Sequence, residues 1–93
     1  MQFEWDEDKA KTNFSKHAVS FEEASTVWED LFFIDLYDEE HSEEENRFLM
    51  IGESKQNRLL IVSYTERENI VRIISARELT PKERQDYEQG EFE

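Results

Sequence analysis

Three runs in the second half of the chain, Arg47 to Glu53, Arg58 to Thr65 and Ile70 to Glu78, each have strand length and apolar density. Only the short polar turns ESKQN and ERENI separate them. Connections of that length join antiparallel neighbours, so the runs predict a meander to which the rest of the chain must adapt. Phe3 and Trp5 alternate with Gln2 and Glu4 as a short first strand, and LFFIDLY, Leu31 to Tyr37, is aromatic and β-branched enough for another.

Helices fill the remainder. Asp6 is placed to cap one that runs to about His17, buries Ala10 and Phe14, and carries acids at its positive end and Lys16 and His17 at its negative end. The S-F-E-E run predicts a capping box between Ser20 and Glu23. The helix it starts has an apolar stripe of Phe21, Ala24, Val27, Trp28 and Leu31. T-P-K-E predicts a third helix, from Thr80 to about Gly90, with Pro81 at its first position and Glu83 reaching back. Little beyond Leu79 and Tyr87 is apolar there, so its anchoring should be weak. The expected fold is α+β: two N-terminal helices and a C-terminal helix packed with an antiparallel β-sheet, in a single domain over residues 1–93.

Absences bound the function. There is no cysteine, and Gly52 and Gly90 are the only glycines, which sets aside disulfide frameworks, thiolate zinc sites, glycine-rich phosphate loops and nucleophile elbows. No cofactor is expected. MQFEWDEDK is charged too early for a signal peptide and no apolar run reaches membrane length, so the expected location is cytoplasmic.

The net charge of −13 is unevenly spread. Residues 21 to 46 contain eleven acids and no Lys or Arg, whereas the flanking segments are each within one charge of neutrality. Arg47, Arg58, Arg67, Arg72, Arg77, Lys82 and Arg84 all fall on or beside the predicted sheet. Residues five apart on a strand face opposite ways, so Arg72 and Arg77 share a face only if a bulge intervenes. Beside the capped start of the last helix, Arg77 suits an anion, while pairing of all these arginines with the many carboxylates is the plainer reading.

His17 and His41 are the only imidazoles. His17 suits a helix C-terminus or proton transfer near neutrality. His41, among Glu39, Glu40, Glu43, Glu44 and Glu45, lacks calcium-loop spacing, so the segment reads as a solvated loop and no metal is assigned. Ser63, Tyr64, Thr65 and Ser75 put hydroxyls on otherwise aliphatic strands.

These segments, in order, resemble one family. FEWDEDKAKTNFSKHAVSFEEASTVW, RFLMIGES and RLLIVSYTERENIVRIISARELTPKERQDYE, with E-W-D, K-H-x-V-S-F-E-E-A, T-E-R and R-I-I-S-A-R inside them, resemble the BrnT toxins of bacterial type II toxin–antitoxin systems across nearly the whole chain. The resemblance implies a fold like that of RelE-type ribonuclease toxins, and metal-independent cleavage of RNA that inhibits translation and growth. It also implies neutralisation by a ribbon-helix-helix antitoxin, through which alone the pair meets operator DNA. Such cleavage needs a proton acceptor, a proton donor and cations at the phosphate. The matching segments offer Arg67, Arg72, Arg77 and His17 as catalytic candidates, Lys16 and Arg47 as substrate contacts, and Tyr64 and Tyr87 as stacking platforms. Ala18 stands where related sequences have glycine, at a cost of about 1 kcal/mol if the left-handed turn is kept. The acidity of residues 21 to 46 favours an alternative, a non-catalytic protein-interaction module on the same fold.

Overall fold

A computed structural model describes residues 1–92. The chain runs β1 (Gln2–Glu4), α1 (Glu7–His17), α2 (Phe21–Ser25), a 3-10 turn (Thr26–Glu29), β2 (Ile34–Tyr37), β3 (Phe48–Glu53), β4 (Leu59–Arg67), β5 (Ile70–Glu78) and α3 (Pro81–Glu88). The five strands form one sheet in the order β1-β5-β4-β3-β2. The meander is antiparallel, as its short turns require, and Glu68 and Asn69 both take positive φ in the two-residue connection from β4 to β5. The sheet is nevertheless mixed and not wholly antiparallel, because β1 lies parallel to β5, with Phe3 opposite Val71 and Glu4 opposite Arg72. Partner and direction of a three-residue strand are set by the long connection through α1 and α2, which local alternation does not report.

The helix caps follow local chemistry. Asp6 accepts from the amides of Asp8 and Lys9, and Ser20 accepts from that of Glu23. The box at Thr80 and Glu83 is complete in both directions. At Ser20 only half forms, since the Glu23 carboxylate turns inward to Arg58 and Ser54. α1 ends at Ala18 in the left-handed conformation, φ 55°, so the turn keeps a geometry that suits glycine.

Two expectations for the helices are corrected. Phe14 is mostly exposed, and Asn13 is buried in its place. The Asn13 amide donates to the carbonyls of Val19 and Ala76 and accepts from the Ala76 amide, which ties α1 to β5. The second helix stops after Ser25, where the Ser25 and Thr26 hydroxyls bond carbonyls three residues back and the chain tightens into the 3-10 turn. Gly52 on β3 admits that turn, because a Cβ there would lie 2.9 Å from Asp30 Oδ2 and 3.0 Å from Val27 Cγ1. Phe21, Ala24 and Val27 are fully buried as the stripe requires, but Leu31 lies past the end, in solvent.

Each sheet face carries its own apolar cluster. On one, Met50, Leu60, Val62, Tyr64, Val71, Ile73 and Ala76 pack under α1, α2 and the 3-10 turn, with Phe3, Trp5 and Trp28 sealing the edge. On the other, Ile51, Ile61 and Leu79 meet Ile34, Leu36, Leu49, Leu59, Tyr87 and Phe92. No residue of α3 itself is buried, in keeping with its sparse stripe. The part of this second face that α3 leaves uncovered holds the candidate site.

Candidate active site

A break in strand register arranges the open face. Ser63 lies opposite Ser75, but the next β4 residue, Tyr64, lies opposite Ile73, so β5 carries one extra residue at Ile74. Directly opposed residues share a face, and β4 runs without interruption. Arg77 opposite Ile61, Ser75 opposite Ser63, Arg72 opposite Thr65 and Arg67 opposite Ile70 therefore all project to the open side. The bulge is what lets Arg72 and Arg77 share it.

These arginines are ordered by carboxylates. Arg77 makes a two-pronged contact with Glu83, 2.7 and 3.0 Å, and a further bond to the Glu78 carbonyl. Of its five N–H donors this leaves two. Hydrogen bonding from Arg77 brings the Glu83 carboxyl down to about 2. Arg72 bonds Glu4 across the parallel pair at 2.8 Å, and Arg67 bonds Glu45 at 2.9 Å. The Arg67 bond, helped by the fields of Arg47 and Arg72, lowers the Glu45 pKa. Arg47 itself is 3.8 Å from Glu45, and its buried Nε has no hydrogen-bond partner. Three arginines thus share two carboxylates at the Arg72 end of the face, and one arginine with one carboxylate marks the other end.

The face between them opens into a groove of about 1100 Å³. Ser63, Ser75 and Arg77 form its floor with Ile61 and Leu49; His17 enters from the end of α1, and Asp38, Glu39, Glu40 and His41 make one wall. The sequence places His41 in a solvated loop, yet it lines the same groove as His17, with its Nδ1 held 2.9 Å from Asp38 Oδ2. Spacing in the sequence offered no signal for that, since the loop is folded back through contacts such as Ser42, whose hydroxyl bonds the Asp38 carbonyl and accepts from the Arg47 amide. His17 and Ser75 also belong to a smaller depression, about 320 Å³, beside Lys9, Thr12, Lys16 and Ile74. Among the described residues, Lys9 and Lys16 have no carboxylate within salt-bridge distance, unlike the sheet arginines.

The two tyrosines offered as stacking platforms are placed differently. Tyr64 points to the helix side, 2% exposed, between Trp28 and Phe48, and its hydroxyl donates to Asp35. Burial, reinforced by that bond, holds its pKa well above the ordinary value. A ring enclosed in this way has no face for a base, so the stacking role is withdrawn for Tyr64. Tyr87, half-buried against the second cluster, donates to the Phe32 carbonyl at 3.3 Å.

Residues 5–83 match the family described as "Ribonuclease toxin, BrnT, of type II toxin-antitoxin system". The chain belongs to the BrnT toxin family. Membership implies an RNA target and an antitoxin partner. Among solved structures, the Brucella abortus ribonuclease toxin BrnT superposes with a TM-score of 0.64 at 22% identity, covering 86% of this chain and 97% of that one, a likeness of fold. Comparison with curated proteins found no significant match. No described helix of this BrnT-family chain is long and apolar enough to cross a membrane.

Proposed function

We propose that this BrnT-family protein cleaves single-stranded RNA without a metal, in the cytoplasm, arresting translation and growth until a ribbon-helix-helix antitoxin binds it. Kinship with RelE-type toxins is part of the same reading. The observation that carries it is the position of His17, shared by the groove that holds Arg77 and the depression that holds Lys9 and Lys16. RNA would follow the α1 lysines across Ser75 to the groove, bringing its phosphate to Arg77. The ribose 2′-hydroxyl gives its proton to one imidazole as its oxygen attacks the phosphorus, and the second imidazole protonates the leaving 5′-oxygen. His17 and His41 are the two groups for this exchange. The two N–H donors left on Arg77 meet the negative charge that develops on the phosphorane. Arg67, Arg72 and Arg47 guide the flanking strand, and the Asp38–Glu40 wall confines it to one side.

The protein should cleave single-stranded RNA in EDTA. His17→Ala and Arg77→Ala should each lower the rate about 100-fold or more with little change in Tm, and Lys16→Ala should mainly raise KM. Absence of cleavage, or a rate indifferent to His17 and Arg77, overturns the reading. A second reading, the non-catalytic interaction module, is favoured by one specific observation: Arg67, Arg72 and Arg77 each already hold a carboxylate. It expects neither cleavage nor toxicity.

A further inference from the structure

The sheet has two ends, and β2 forms one of them, paired on one side only with β3. A strand paired on one side presents unsatisfied N–H and C=O groups to solvent along the other. The turn leading into β2 exposes Leu31 and Phe32 at 91% and 80% of their surface. This exposure is built rather than frayed. Asp30 accepts from the Phe32 amide and the Glu53 amide, and the Tyr87 hydroxyl donates to the Phe32 carbonyl, so three bonds hold the turn with its apolar side chains outward. Beyond the other end of β2, Glu39, Glu40, Glu43 and Glu44 make no salt bridge among the described residues, in contrast to the paired Glu45.

Apolar anchors at one end, an open strand in the middle and uncompensated acid at the other specify a ligand. Nucleic acid and anionic lipid are repelled by the carboxylates, and a second copy of this chain would bring its own acidic loop to the contact. We infer that β2 and the Leu31–Phe32 turn receive an extended, Lys- or Arg-rich segment of the antitoxin, added as a sixth strand with its apolar side chains on Leu31 and Phe32 and its cations over the 39–44 loop. This rests on the toxin reading and locates the partner's surface along the outer edge of β2, meeting the groove only at its Asp38–His41 wall. Strand addition takes affinity from main-chain bonds and selectivity from side chains, here chiefly charge.

The test uses the whole protein and three short synthetic peptides: alternating Val and Lys, alternating Val and Glu, and the Val-Lys peptide N-methylated on alternate amides. The Val-Lys peptide should bind, slow amide exchange at Ile34–Tyr37, and weaken about tenfold or more between low and 0.5 M salt. Leu31→Asp with Phe32→Asp should weaken it by a similar factor while leaving RNA cleavage at the parent rate. Equal binding of the Val-Glu or N-methylated peptide overturns the inference. So does protection elsewhere, self-association through β2, or no binding by a variant-sensitive route. Failure of the parent protein to cleave RNA counts against the ribonuclease reading alone, because the peptide experiment reads binding.

Discussion

Val62 and Ser63 are consecutive on β4 but face different surroundings: Val62 is fully buried beneath the helices, and Ser63 lies on the floor of an open groove. The same contrast separates two Arg–Glu pairs of similar chemistry. Arg58 holds Glu23, only 4% exposed, by Nε at 2.9 Å and by Nη2, and also donates to the Ala18 carbonyl, while Ser54 completes the carboxylate at 2.7 Å. Arg77 holds Glu83 on the open face, where water and ligands can reach both groups. Burial of the acid, more than the number of bonds, decides which pair is structural and which can exchange partners.

The largest break in this contrast is expected from Arg58→Ala, which strands a buried carboxylate. It should cost about 3–5 kcal/mol in chemical denaturation. A cost below about 1 kcal/mol would mean that Glu23 reaches water and that the two pairs are equivalent. The Arg77–Glu83 pair predicts a smaller, pH-dependent effect. Glu83 is lowered from 4.5 to about 2, so its stabilisation is fully present above pH 4.5 and lost as the pH falls toward 2. Relative to Glu83→Gln, the parent should lose on the order of 1–2 kcal/mol across that window, after allowance for solvent screening. A constant difference between the two proteins over the window would count against this. The smallest change is at the end of α1: Ala18→Gly should stabilise by about 1 kcal/mol in thermal melts by removing the Cβ from a residue at φ 55°. No gain there would place the strain elsewhere.

Much of this was legible locally. The caps at Asp6, Ser20 and Thr80, the stripe Phe21-Ala24-Val27 and the three meander strands depend on neighbours within a few residues, which a linear pattern reports. Asn13 was not, because its three bonds reach the turn before α2 and a strand 63 residues away. Nor was Tyr64, whose aromatic and polar character suits an exposed strand face equally well until Trp28 and Asp35 arrive. Of the site, Arg77 and His17 could be selected from sequence because strand end and helix end are local properties. His41 and Lys9 could not, since their value lies in lining the same depressions as His17.

By itself, then, the sequence determined the helix starts, the meander, the acidic segment and the family, all of which are written in short-range order. The parallel docking of β1, the one-residue bulge at Ile74 and the consequent gathering of Arg67, Arg72 and Arg77 on one face belonged to the tertiary structure. The reason is that β periodicity is two: a single extra residue reverses every side chain beyond it, and Ile74, the same residue type as Ile73 before it, carries no mark of the bulge. Only the pairing with β4 shows which way the arginines turn.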